Sequence, residues 1–196
     1  MLENQILSDI INFFSQIFEK KQRNGGKYCY ACYKANWLNQ IDLNERYAKE
    51  EAAVARTTKK LQHFLKEKYG DRIKIEAPVA EGMTLRFDSL SVPNIKIDPT
   101  KLQAFDILDV ESGVAFEISL SDAFAEFFKD VLKALLDSRV KKLYICMRNH
   151  DYKGARKSGY LKVKDSPMVQ QYISLAKLYK LDIYLVDIFP ECNDEV

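Results

Sequence analysis

Phe105-Asp106-Ile107-Leu108-Asp109-Val110-Glu111-Ser112-Gly113-Val114-Ala115-Phe116-Glu117-Ile118-Ser119-Leu120 embeds carboxylates in two short apolar runs. The runs read as strands joined by a Ser-Gly turn. A carboxylate in a core strand is costly unless it is paired or holds a metal ion. With Ser112-Gly113 as a two-residue loop, Glu111 opposes Val114, Leu108 opposes Glu117 and Asp106 opposes Ser119. Asp106, Glu117 and Ser119 then share one side of the ribbon, and Phe105, Ile107, Phe116 and Ile118 the other. Asp109 and Glu111 fall on the wrong face to join them. A three-residue loop would break this register.

Other candidate chemistry is sparser. Cys29-Tyr30-Ala31-Cys32 has the spacing of half a zinc site, but no second pair follows and His63 and His150 stand at no ligand-like spacing. Two segments concentrate positive charge: Lys20 to Lys34, and the loop after 142–147 with Arg148, Asn149, Lys153, Arg156, Lys157, Lys162 and Lys164. Such cations contact phosphates, and an arginine or asparagine reads base edges; a solvated loop has the same composition. No phosphate-cradling glycine loop and no Ser-His-Asp or Cys-His arrangement is evident.

The elements that must position these groups are legible from periodicity. Residues 4–19 form an amphipathic helix, and 20–34, broken by Gly25-Gly26, forms no regular element. A second helix is expected over 44–69, stopped by Gly70, then a strand over 73–79 and an irregular connection over 81–100. After the hairpin, Ser121 caps a helix whose Phe124, Phe127, Phe128, Val131, Leu132, Leu135 and Leu136 make one apolar stripe. A buried strand over 142–147, a polar loop over 148–165, a helix over 167–180 and a strand over 181–189 complete the chain. The expected class is α/β, a mixed central sheet flanked by helices.

At 196 residues one domain is expected, with a core at about 44–147 and an N-terminal helical extension at 1–43. The net charge of +2 confines any nucleic-acid footprint to local patches. Four cysteines do not look like a disulfide framework, no stretch approaches a membrane span, and the first residues lack a signal peptide's basic start. A cytoplasmic protein away from membranes is the expectation.

The helix, three-strand meander, helix and strand, with acids on the second and third strands, resemble the core of the PD-(D/E)xK nucleases, the restriction-endonuclease-like superfamily, and most of all a small type II restriction enzyme. Asp106 matches the family's first acid and Glu117 its second, while Ser119 stands where a lysine is usual. The resemblance implies a site in which Asp106, Glu117 and the Ile118 carbonyl hold Mg²⁺, with Mn²⁺ as a substitute, and in which a water attacks a DNA phosphodiester. In members lacking the strand lysine, the following helix supplies it; Lys129, nearer that helix's start than Lys133, is assigned this role. Some members add an acid from the first helix, and Glu51, three residues before Val54, stands in that place, as would an ordinary solvated helix charge. The implied partner is double-stranded DNA. Cutting both strands calls for a homodimer, with the helix at 4–19 as one dimer surface, although packing on its own core is the simpler role for it. Two other readings stay open: a nuclease-like fold that binds without cutting, which Ser119 favours, and a nuclease selective for branched or damaged DNA.

Overall fold

The structure is a computed structural model describing residues 2–22, 29–34, 48–79, 103–120, 123–148 and 159–188. Helix α1 (Leu2–Ile17) buries Ile6, Ile10, Phe14 and Ile17, the spacing of one helical face. It runs into a hairpin of β1 (Phe18–Gln22) and β2 (Cys29–Tyr33), where the sequence suggested no regular element. Phe18 and Tyr33 pack ring against ring at a tilt within that hairpin and belong to the core. Helix α2 (Ala48–Tyr69) follows; residues 44–47 of the expected helix lie outside the described residues. Gly70, at φ +60°, ends α2 with a short 3-10 turn into β3 (Ile73–Pro78). The expected irregular connection at 81–100 lies outside the described residues.

Strands β4 (Ala104–Asp109) and β5 (Val114–Ser119) form the acid-bearing hairpin, and α3 (Ala123–Leu136) leads to β6 (Lys142–Met147). The proposed Ser121 cap lies outside the described residues. Part of the expected polar loop is instead a short helix, α4 (Gly159–Lys164), where Val163 finds a buried place under α3. Helix α5 (Pro167–Leu178) starts with Pro167 behind a Ser166 cap, and β7 (Asp182–Asp187) closes the sheet.

The five strands lie in the order β3-β4-β5-β6-β7. The first three are antiparallel, and β5, β6 and β7 run parallel. Parallel neighbours need crossover helices, which α3 to α5 supply on one face; α1 and α2 cover the other. The result is a mixed sheet flanked by helices.

Two features of the β3–β5 meander differ from the sequence expectation. The turn has four residues, 110–113, so Asp109 opposes Val114 and Leu108 opposes Ala115. Asp109 sets this turn: its carboxylate accepts the Glu111 N–H (3.2 Å) and the Ser112 hydroxyl (2.5 Å), and Arg72 clamps it from β3's start (2.8 and 2.9 Å). Gly113 has φ +70°, and a Cβ there would come within 2.4 Å of the Arg139 carbonyl oxygen, so the turn accepts only glycine at that point. The shift is two residues, which preserves faces.

The second difference is a change of face. Ile73, Ile75 and Ile107 pack with α1 and α2, whereas Ala77, Val79 and Phe105 pack with α3. The β3–β4 register skips one pair between these groups, Glu76 opposite Asp106, and Glu76 has φ +47°. The ribbon thus turns over at Asp106, and Phe105 lies on the opposite layer from Ile107 rather than beside it.

Candidate active site

Asp106 lies where β4 parts from β5, because the paired register between them ends at Ile107↔Phe116. Its Oδ2 accepts the Ile118 backbone N–H at 2.8 Å, and its own carbonyl accepts the Gln62 side-chain amide of α2 at 3.0 Å. Ser119 gives its carbonyl to Arg148 N on the β6 side. Alternation along the strand therefore turns the N–H and carbonyl of Ile118 to the opposite edge, toward Asp106.

Glu117 points to the α3 side and is 3 % exposed. The ammonium facing it belongs to Lys133: Nζ lies 2.7 Å from Glu117 Oε1 and 3.0 Å from Asp130 Oδ1, and donates to the Ala104 carbonyl at 3.1 Å. The two carboxylate contacts are charge contacts without hydrogen-bond alignment, which leaves Glu117 Oε1 and Asp130 Oδ1 as buried oxygens with unused acceptor capacity. Asp106, Glu117, Asp130, Lys133, Lys129 and Gln62 line one cavity of about 380 Å³ between α2, α3 and the parted strands.

Burial governs the electrostatics. It pushes the Asp106 carboxyl up, against the Ile118 N–H and the Lys133 and Lys129 charges. Burial, then the negative charges of Asp130 and Asp106, push Glu117 well above the carboxylate range. Burial raises Asp130 to about 6 despite Lys133 beside it. Burial alone would lower Lys133, but Glu117 and Asp130 hold its ammonium above the ordinary value. Protons and positive charge are thus shared within one small cluster.

The cluster contains two of the residues singled out from sequence, Asp106 and Glu117, and brings Ile118 to them. Lys129 lines the same cavity but pairs with Glu126, so the lysine at Glu117 is Lys133, one turn later. Ser119 is buried on the Glu117 face, and its hydroxyl has no hydrogen-bond partner among the described residues. Glu51 lies in the first turn of α2, and its side chain lies outside the described residues; Val54, three residues on, lines the cavity.

The DNA-contact candidates divide. Arg148 is 4 % exposed, its guanidinium 5.7 Å from the Phe18 ring centre and 5.3 Å from that of Tyr33. It packs between the β1–β2 hairpin and the sheet, buried where the sequence places it on an exposed polar loop. Lys162 is exposed on α4, away from the cavity lining. Asn149, Lys153, Arg156 and Lys157 lie outside the described residues. Sequence reasoning missed Gln62 and Asp130; Asp130 falls outside the apolar stripe from Phe124 to Leu136, so the stripe carried no signal of its burial.

Among the described residues no group of three or more His, Cys, Asp or Glu side chains is gathered to hold a metal ion, and no helix is long and apolar enough to cross a membrane. Comparison with family models, curated proteins and solved structures finds no match to this chain.

Proposed function

We propose that this chain is a metal-dependent endonuclease hydrolysing DNA phosphodiester bonds, with a restriction-endonuclease-like core and the mode of action of a small type II restriction enzyme. One observation carries the reading: Asp106 and Glu117 meet at the floor of a cavity with the Lys133 ammonium 2.7 Å from Glu117. The order helix, three-strand meander, helix, strand from α2 to β6 agrees with the same core. Lys133 supplies the positive charge that Ser119 cannot, which favours catalysis over a binding module.

Mg²⁺, or Mn²⁺ in its place, suits these donors. Glu117 Oε1 is a buried oxygen with spare acceptor capacity, and Asp106 and Ile118 line the same cavity, the Ile118 carbonyl turned by strand alternation toward the Asp106 edge. Two carboxylates and a carbonyl are a set on which Mg²⁺ keeps several waters. When bound, the ion acidifies a water and neutralises charge on the phosphate. The chain's own residues do the rest. The Ile118 N–H and the Gln62 amide fix Asp106, and Lys133 places a charge that strengthens as negative charge builds on phosphate oxygens. Cutting both strands of a duplex takes two such centres, hence a homodimer.

The test is supercoiled plasmid DNA incubated with the purified chain and Mg²⁺, Mn²⁺ or EDTA. Nicked and linear products are expected with either ion and not with EDTA, and their loss in Asp106→Asn and Glu117→Gln with unchanged circular dichroism. Absence of cleavage of duplex, branched and single-stranded DNA under both ions overturns the proposal.

A further inference from the structure

Asp130 needs an explanation that stability does not provide. It is a carboxylate 2 % exposed in the face of α3 that also buries Phe127, Val131 and Ala134. A buried ion pair is generally replaceable by apolar side chains of similar volume without loss of stability. Nor does Asp130 help Glu117 ionise, since its negative charge opposes that ionisation. Its carboxylate meets Lys133, one turn away on the same helix, at 3.0 Å.

The Lys133 ammonium has three oxygen neighbours, Glu117 at 2.7 Å, Asp130 at 3.0 Å and the Ala104 carbonyl at 3.1 Å, and the Phe105 ring centre lies 5.8 Å away. Of the two carboxylates, Glu117 is the one the reaction claims. A cation held by Glu117 repels the ammonium and takes over the charge that attracts it. A lysine on four rotatable bonds then swings out of a buried site unless a second carboxylate retains it. Asp130 sits on the same rigid turn as Lys133, beyond the parted strands, and fills that need.

We propose that Asp130 is the positioning residue that keeps the Lys133 ammonium at Glu117, both in the metal-free chain and when Glu117 carries a divalent cation. This rests on reading Asp106 and Glu117 as the reaction centre, yet its first half is open to test without cleavage.

The experiment follows the lysine ammonium groups of the full-length chain by ¹⁵N-correlated NMR at low temperature. An immobilised, solvent-shielded ammonium gives a resolved cross-peak, assigned to Lys133 by its loss in Lys133→Arg. Asp130→Asn should abolish or strongly shift this peak, whereas Glu126→Gln, which removes the Lys129 partner on the same helix, should leave it in place. With saturating Ca²⁺ as probe, the wild-type peak should shift and persist. In single-turnover cleavage with Mg²⁺, Asp130→Asn should lower kcat at least tenfold with DNA affinity within about twofold, and Asp130→Glu should recover part of the loss. If Asp130→Asn fails to fold, Asp130→Glu is compared in the same spectra, and an unmoved peak counts against the proposal. An unchanged Lys133 signal in Asp130→Asn, or an equal disturbance by Glu126→Gln, overturns it. A wild-type chain that shows the metal-free Asp130 effect but neither answers Ca²⁺ nor cuts DNA keeps the Lys133–Asp130 lock and refutes the nuclease reading instead.

Discussion

At the scale of single residues, the acids of this cluster stand in opposite electrostatic circumstances from those of the turn. Asp109, also buried, is brought below the carboxylate range, because the Arg72 guanidinium and Ser112 outweigh the effect of burial. Asp130 is raised to about 6 by burial, with Lys133 only partly compensating. Between the ordinary aspartate value of about 3.9 and that raised value, the folded chain keeps a proton that the unfolded chain has lost. The stability tied to this proton is full below the unfolded value and is lost as pH rises through about 6. Asp130→Asn no longer titrates, so the Tm of the metal-free wild type should fall relative to that of the variant between pH 4 and pH 7. Parallel Tm curves measured by differential scanning calorimetry would show that Asp130 does not titrate in this window.

At the scale of elements, α3 decides which lysine faces Glu117. Counted at about 100° per residue from Phe127, Asp130 lies about 60° off the buried centre line, Lys133 about 120° and Lys129 about 160°. Lys133 therefore reaches under the helix beside Asp130, and Lys129 stays at the rim with Glu126. The expectation of Lys129 rests on nearness to the helix start; the apolar stripe from Phe124 to Leu136 does not place Lys133 nearer its centre than Lys129, so packing in the folded chain decides between them. Lys133→Gln should reduce kcat for DNA cleavage by roughly 10²-fold or more while leaving DNA affinity nearly unchanged, the pattern of a group acting on the transition state. Lys129→Gln should cost far less, and equal losses in steady-state kinetics would remove the distinction. The order of elements was legible because α1, α2, α3 and the strands carry clean periodicities. The turn-over of β3 and β4 was not, because alternation of side chains assumes a regular strand, and Glu76 leaves the β region at φ +47°. A non-glycine residue in that region carries roughly 1–2 kcal/mol of strain. Glu76→Gly should thus be neutral or stabilising by about 1 kcal/mol in urea unfolding, and Glu76→Val destabilising, since a β-branched side chain tolerates that conformation least. Destabilisation by glycine there would mean that the Glu76 side chain, not its backbone, holds the bend.

At the scale of the whole molecule, α1 takes the simpler of the two roles its sequence allows, and the exposed apolar side chains lie elsewhere. The apolar face of α1 is spent on the chain's own core, where Ile6, Ile10 and Phe14 are fully buried. Exposed apolar side chains gather instead on α5. Met168, Tyr172, Leu175 and Tyr179 recur at helical spacing, and Leu178 beside them is 78 % exposed. Tyr172 stacks edge-on against Phe128, which carries the stripe across to α3 and toward exposed Leu132. Apolar side chains recurring on one helix face and reaching a neighbouring helix are more than singly scattered apolar residues. Helix α5 carries no acid and one lysine, so two copies related by a two-fold axis bring few like charges together there. A second copy of this chain is accordingly the proposed occupant, which joins this surface to the need for two reaction centres on a duplex. Light scattering after gel filtration should give twice the chain mass at micromolar concentration. Leu175→Glu combined with Leu178→Glu should halve that mass with helix content preserved, and should convert linearised plasmid products to nicked ones. A wild-type chain that stays monomeric at high concentration would exclude the two-fold arrangement, whatever its activity on DNA.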